Sequence, residues 1–195
     1  MKVNEIFYSL QGEGGNSGKA MIFIRLSGCN LSCSFCDTEF ETGTEMTTDE
    51  ILTNIKQYPC NNILWTGGEP TIQLTKQIVQ TFKAHGYYQA IETNGMYEIP
   101  SNLDYITISP KISEKGMLKY NERLQRTLIN EIKIVLKARD KMPEYDWLDC
   151  DNRFISPIND LHAINYENLA YCIGLVKKNA HWRLSMQSHK IWRIK

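Results

Sequence analysis

Phe23-Ile24-Arg25-Leu26-Ser27-Gly28-Cys29-Asn30-Leu31-Ser32-Cys33-Ser34-Phe35-Cys36-Asp37-Thr38 is the stretch on which the fold and chemistry of this chain turn. It opens on an apolar, β-branched run, residues 21–26, with the composition of a buried strand. It closes on a loop that places three thiols within eight positions, Cys29-x3-Cys33-x2-Cys36. Thiolates suit zinc, copper(I) or iron–sulfur clusters. Structural zinc usually takes four protein ligands, commonly as two separated pairs. No second pair follows here, and His85 and His162 are distant and unpaired with a cysteine. A three-thiolate loop leaves one iron of a 4Fe–4S cluster open, and an open metal position is what cofactor or substrate chemistry requires.

Outward from this stretch, short apolar runs alternate with helical patterns. Strands are expected at residues 21–26, 62–66, 89–92, 105–109, 132–136, 154–155 and 183–186. Helices are expected at 48–57, where Thr47 and Glu50 have the spacing of a capping box, at 74–85, and at 166–178. Weaker helical patterns cover 120–127 and 141–148. Alternating strands and helices predict an α/β fold with a parallel sheet. Seven strands with too few helices predict an incomplete, TIM-like βα barrel, since a closed one typically needs about 250 residues. An open doubly wound sheet is the competing architecture. No Pro- or Gly-rich linker divides the chain, so residues 1–195 are expected to form one domain.

The unusual residues fall just after these strands. Gly28-Cys29, Gly67-Gly68-Glu69-Pro70, Thr93-Asn94-Gly95, Ser109-Pro110-Lys111, Ser156-Pro157 and Gln187 each follow or end a run. Parallel α/β folds build their ligand sites from the carboxyl ends of strands, so these clusters are expected to converge on one face.

Composition sets the outer bounds. The 195 residues carry 22 Lys plus Arg against 22 Asp plus Glu, so no general attraction to nucleic acid or anionic membrane is expected. No apolar run approaches the roughly 20 residues of a membrane span. The opening residues contain no apolar block, so no signal peptide is expected and the cytoplasm, where thiols stay reduced, is the expected compartment. Cys60, Cys150 and Cys172 are scattered and read as small, buried or partly buried hydrophobes.

The C-x3-C-x2-C spacing, with Phe35 before the third cysteine, resembles the signature of the radical S-adenosylmethionine (SAM) enzymes. The resemblance implies a partial βα barrel of the radical SAM type, with Cys29, Cys33 and Cys36 holding a 4Fe–4S cluster. It also implies a SAM site. Gly67, Gly68 and Glu69 look like the segment that holds the SAM ammonium, and Glu92 and Asn94 like the segment that meets the ribose. Ser109 and Lys111 resemble groups near the methionyl carboxylate, Phe35 and Asp37 are further SAM-binding positions, and Ser156 is placed near the adenine.

Within that group, residues 7–14, 23–31, Cys36-Asp37-Thr38 and Ser185-x-Gln187-x-His189-Lys190 are similar to the 7-carboxy-7-deazaguanine synthase family of 7-deazapurine (queuosine) biosynthesis. This resemblance implies a carbon–nitrogen lyase. A 5′-deoxyadenosyl radical would abstract hydrogen from C6 of 6-carboxy-5,6,7,8-tetrahydropterin, and ring contraction with loss of ammonia would follow. It implies Mg2+ at Thr38, an electron donor such as flavodoxin, and a homodimer. Leu10, Gln11, Gly12, Glu13, Gly14, Arg25, Thr66 and Gln187 would bind substrate. Arg25 can clamp a carboxylate with two parallel bonds, and Gln11 and Glu13 offer the groups that read a pterin edge. His189 and Lys190 are expected near the mouth or on the surface. The tail, residues 191–195, lacks the proline ending of some members, so a substrate contact there is not expected. Two other readings fit the cysteines: a glycyl-radical-enzyme activase acting on a partner protein, and a zinc-stabilised binding module.

Overall fold

Period-two alternation along the strands separates two environments. In the computed structural model, which describes residues 1–112, 118, 119, 121, 124, 129–143, 150 and 152–195, the elements run as follows. Strand β1 (Lys2–Leu10), β2 (Ala20–Leu26) and β3 (Thr44–Glu45) precede helix α1 (Thr48–Ile55). Then come β4 (Asn62–Gly67), α2 (Lys76–Ala84), β5 (Tyr88–Thr93), β6 (Tyr105–Ile108), a small hairpin of β7 (Lys111–Ile112) and β8 (Leu118–Lys119), and β9 (Glu131–Leu136). The chain continues through β10 (Asn152–Pro157), α3 (Tyr166–Lys178), β11 (Arg183–Leu184) and α4 (Ser188–Trp192). The helices expected at 120–127 and 141–148 fall largely on residues outside those described.

One sheet carries the order β11-β10-β9-β6-β5-β4-β2-β1-β3. From β2 to β11 every neighbouring pair is parallel. These parallel strands succeed one another in chain order with no reversal. A doubly wound sheet would reverse at a switch point. The continuous order is that of a barrel wall, here open among the described residues with β3 and β11 at its edges. All seven parallel strands lie where the apolar runs predict them, within a few residues.

The outward face of this wall is apolar. Ile22, Ile24 and Leu26 of β2, Ile63 and Trp65 of β4, Ile91 of β5 and Ile132, Ile134 and Leu136 of β9 are all buried. They form one cluster with Ile51, Leu52 and Ile55 of α1, Val79 and Phe82 of α2 and Cys172 of α3. One polar side chain in this layer, fully buried Gln89, is satisfied: it accepts from Trp65 Nε1 at 3.0 Å and donates to the Val79 carbonyl at 2.9 Å. It thereby ties β4, β5 and α2 together. Helix starts follow the capping chemistry. Thr47 and Glu50 form the reciprocal box expected for α1, and Thr75 caps α2, so that helix begins two residues later than its periodicity suggests.

Strand β1 is the longest element the sequence pattern did not announce; the two-residue strands β3, β7 and β8 and the short helix α4 are the others. Strand β1 pairs antiparallel with β2, and a bulge between Val3 and Glu5 shifts its register. The bulge puts Val3 and Ile6 into the outward cluster and Phe7 into the inner one. A strict alternation would have placed Val3 and Phe7 on the same face, so the period-two signal is broken.

Candidate active site

The inward face of the same strands is apolar at its base and charged above. Met21 and Phe23 of β2, Leu64 of β4 and Ala90 of β5 form a small inner cluster, on which Phe7 stacks against Phe23 at 4.7 Å. Further along, Arg25, Thr66, Glu92, Lys133, Val135 and Ser156 face a cavity of about 700 Å³. That size is ample for ligands of cofactor dimensions.

The segment after β1 turns into the barrel and supplies a second layer of polar groups. Gln11 Nε2 donates to Glu92 Oε1 at 2.7 Å. Lys133 Nζ donates to Glu13 Oε2 at 2.7 Å and lies 3.4 Å from Glu92 Oε2. The loop backbone is anchored below the cavity. Gly14 N donates to Ser185 Oγ at 2.9 Å, and Gly15 N donates to Glu131 Oε2 at 2.7 Å. Gly14 has φ +63° and lies so close to Glu131 that a Cβ would run into the carboxylate, so only glycine fits.

Electrostatics in this layer are tightly coupled. Burial works against the Lys133 charge, but Glu13 and Glu92 more than offset it and raise the ammonium well above the usual lysine range. Burial pushes the Glu13 carboxyl up, yet the Lys133 charge and hydrogen bonds from Lys133 and Gln187 bring it below its ordinary value. Burial, and then the Lys133 charge, hold the Lys111 ammonium below its ordinary value. Its hydrogen bonds go to Ser109 O and Oγ, both at 2.8 Å.

The cysteine loop rises from the end of β2 to the rim of the cavity, and Cys29, Cys33 and Cys36 all line it. Cys29 and Cys33 are half-buried and Cys36 is exposed; Cys36 N donates to the Cys33 carbonyl at 3.0 Å, closing a turn between them. Gly28 N reaches the Phe40 carbonyl at 2.7 Å and Asn94 Nδ2 donates to Asn30 Oδ1 at 2.8 Å, fastening the loop at its base. Burial, with Glu69 and the two neighbouring thiols, pushes the Cys29 thiol up. Among the described residues no three Cys, His, Asp or Glu side chains converge on a single metal position.

Every residue expected to bind cluster, SAM, metal or substrate lines this one cavity except Gly14, which lies beneath its floor. Gly14 therefore shapes the loop rather than meeting a ligand. Two others have tasks the sequence did not reveal. The buried Glu69 carboxylate accepts from Thr71 N, Thr71 Oγ1 and Thr93 Oγ1 at Oε1 and from Asn94 N at Oε2, which leaves Oε2 with a spare lone pair. It binds the Gly67-Gly68 turn to the end of β5. Arg25 lies over Phe7 and is paired with Glu5 at 2.5 Å. Gln187 is a node: it accepts from Asn159 and donates at 3.1 Å to both Glu13 and Asp37.

Lys133, His189 and Lys190 are the residues that sequence reasoning missed or put at the margin. All three line the cavity. Lys190 pairs with Asp37 at 3.2 Å while its side chain is only 8% exposed. Arg193, Ile194 and Lys195 also line the mouth, and Lys195 pairs with Glu5, so the tail reaches the site that its composition did not suggest. The signal for Lys133 was present in Glu131-Ile132-Lys133-Ile134-Val135, where charged residues occupy alternate positions of an otherwise buried strand.

A family profile, the Radical SAM superfamily, matches residues 23–144. A 7-carboxy-7-deazaguanine synthase from Bacteroides thetaiotaomicron is 40% identical over 194 residues, covering 100% of this chain and 98% of that protein. One from Neisseria meningitidis serogroup B is 37% identical, covering 97% and 92%. The chain belongs to the 7-carboxy-7-deazaguanine synthase family of the radical SAM superfamily. The crystal structure of QueE from Escherichia coli shares the fold with a TM-score of 0.73 at 26% identity, covering 95% of this chain and 92% of that one. Membership makes the chain a radical SAM lyase with a 4Fe–4S cluster and SAM as cofactors. Its own donor set fits them, with three thiols on one loop at the mouth of a single polar-floored cavity. No helix among the described residues is long and apolar enough to cross a membrane.

Proposed function

We propose that this chain converts 6-carboxy-5,6,7,8-tetrahydropterin to 7-carboxy-7-deazaguanine with loss of ammonia, through one radical SAM domain spanning residues 1–195. The observation that carries the proposal is the convergence of the three-cysteine loop and the Gln11–Glu13 loop on one cavity. The first is suited to a redox cofactor and the second to an N–H-rich heterocycle. When bound, the cluster and SAM would supply the radical hydrogen-abstraction chemistry that the reaction needs at C6 of the pterin.

The chain's own groups bind and orient. Cys29, Cys33 and Cys36 hold the cluster and must shed their thiol protons to do so. Phe35 and Asp37 flank it. The backbone of residues 67–69 faces the SAM ammonium, Ser109 and Lys111 its carboxylate, Glu92 and Asn94 its ribose, and Ser156 its adenine. Lys111 suits an anion because its Nζ donates to the neutral O and Oγ of Ser109. Leu10, Gln11, Gly12, Glu13, Thr66 and Gln187 surround the pterin, with Arg25 on its carboxylate. The guanidinium is a fork of five donors, so pairing with Glu5 leaves others for a ligand.

Thr38, half-buried beside Cys36 on the cavity wall, is the proposed Mg2+ contact. Magnesium keeps several waters and takes few protein ligands, so one hydroxyl with substrate oxygens suffices. A homodimer, an electron donor such as flavodoxin and a cytoplasmic setting complete the proposal. Six free cysteines suit a reducing compartment.

Anaerobic reconstitution with iron and sulfide, followed by incubation with the carboxypterin, SAM, Mg2+ and a reductant, tests it. The expected outcome is a product with the mass of 7-carboxy-7-deazaguanine. A reconstituted, SAM-cleaving protein that forms none would remove the substrate assignment.

A further inference from the structure

Lys133 is a buried cation inside the barrel. Its side chain is 6% exposed, and its charged neighbours come from three other elements or loops. Glu13 stands on the loop after β1, Glu92 on β5 and Lys111 on β7, with Glu131 two residues away on its own strand; His189 on α4 acts on Glu13, and Tyr105 on β6 donates to Glu131. The ammonium touches Glu13 Oε2 and approaches Glu92 Oε2, while the other oxygen of each carboxylate is held by an amide, Gln187 Nε2 and Gln11 Nε2 respectively. Each carboxylate is thus gripped at both oxygens and keeps unused lone pairs on the cavity side.

We infer that Lys133 is a positioning residue for the pterin: it holds Glu13 ionised and aimed so that the carboxylate accepts the paired N–H donors of the 2-amino-pyrimidinone edge. The inference rests on the proposed substrate. The chemistry is that of a fork meeting two parallel acceptors, and it requires an ionised acceptor before the ligand arrives. Glu92, on the opposite side of the same ammonium, is fixed by the same cation toward the nucleoside side of the cavity. A neutral residue at 133 would leave two buried carboxylates facing each other. One of them would take up a proton, and the acceptor pair would be lost as donor and acceptor roles mix.

The test is calorimetric titration of 6-carboxy-5,6,7,8-tetrahydropterin into the cluster-loaded enzyme with SAM and no reductant, so that binding is read without turnover. K133M is expected to weaken binding at least tenfold at neutral pH, and more as the pH falls toward 6, because the released carboxylates protonate on the acid side. K133R, which keeps the charge, is expected to bind within about threefold of the parent with the parent's flat pH dependence. K133M binding within twofold of the parent across pH 6–8, or K133R failing as badly as K133M, overturns the inference.

Should K133M not fold, the parent protein decides. Repeating its titration at pH 7 in buffers of different ionisation enthalpy should show no proton release on pterin binding. Release of close to one proton would mean that Glu13 was protonated beforehand and Lys133 was not doing this work. Adding reductant to the parent complex then tests the substrate assignment separately: a bound pterin that yields no deazaguanine defeats the proposed reaction while the binding pattern still judges Lys133.

Discussion

Strand β9 holds two proteins' worth of chemistry in six residues. Ile132, Ile134 and Leu136 point outward into the helix layer and are at most 1% exposed. Glu131 and Lys133 point inward and are almost as deeply buried, yet both are ionisable: burial pushes the Glu131 carboxyl up, while acidic neighbours raise the Lys133 ammonium. The difference teaches where each residue's free energy is used. The outward set is held by burial that any aliphatic shape of the right volume can reproduce. The inward set is held by a network in which each charge is tolerated only because its partner is present. Substitutions outside should therefore cost stability and spare chemistry, and substitutions inside or at the rim should do the reverse.

The largest effect should come from the rim. Cys33→Ala removes one of the three proposed cluster ligands, and cluster absorption, SAM cleavage and product formation should be lost together. The apoprotein should still unfold cooperatively near the parent's midpoint, since Cys33 is half-buried on a loop that contributes nothing to the outward cluster. Absorption after anaerobic reconstitution, beside thermal unfolding of the cluster-free proteins, checks both halves. A Cys33→Ala protein with full iron content and turnover would break the comparison at its strongest point.

The outward layer should show the opposite signature. Ile134 is fully buried, and Ile134→Ala should destabilise by about 2–5 kcal/mol, the range for large aliphatic truncations in cores. For a chain of this size about 2–4 °C of midpoint is lost per kcal/mol. At a temperature where both proteins are folded, pterin KM and product yield should be unchanged. Urea midpoints and initial rates at low temperature measure the two separately, and a selective loss of activity would show that the faces are not independent.

What could be read from sequence divides along the same line. The seven parallel strands were legible because their outward residues make apolar runs, and the cysteine loop because three sulfurs in eight positions have few structural explanations. Nearly every expected ligand residue does line the cavity. Three things were not legible. Strand β1 hid because its bulge breaks the period on which strand reading depends. Lys133 hid because it sits inside a run that reads as buried strand, where a charge looks like an interruption rather than a functional group. The tasks of Glu69 and Arg25 hid because both depend on partners distant in sequence. Glu69 meets Thr93 and Asn94 across 24 and 25 residues, and Arg25 meets Glu5 across 20. A motif shows that a residue is at a site; only the fold shows how many of its hydrogen bonds are already taken.

An intermediate effect is expected at the mouth. Arg25→Ala should leave the cluster intact and weaken pterin affinity by about 1.5–3 kcal/mol, the usual cost of a charge-assisted partner. Part of that cost is absorbed because Glu5 keeps Lys195 as a second cation. A pterin lacking the 6-carboxylate should bind parent and variant alike, which makes the ligand the control. If Arg25→Ala turns over normally at limiting carboxypterin, the Glu5 pair is the residue's whole purpose, and the mouth belongs with the structural half of the molecule.

The smallest effect concerns pH, and it tests whether the inner network contributes to stability at all. His189 is held below the ordinary imidazole value of 6.5 by burial, with Glu13 opposing. As the pH falls below that value the unfolded chain takes up a proton that the folded protein resists, so stability declines on the acid side. Glu13, whose folded pKa is lowered, acts in the same sense further down. Its contribution is complete above its ordinary value of 4.5 and is lost as the pH falls through its folded value. Lys133, whose folded pKa is raised, guards the other end: its contribution is complete below 10.5 and is lost only as the pH rises through the folded value. The pair is therefore at full strength between about pH 5 and 10, and His189 is the group that tilts the curve inside that window. His189→Gln should flatten the fall in urea midpoint between pH 7 and pH 5 while leaving the slope below pH 4.5 as it was. An unchanged tilt would mean that the imidazole titrates alike in the folded and unfolded chain, in which case Glu13 just offsets burial at this residue; a steeper fall in the variant would mean that Glu13 outweighs burial.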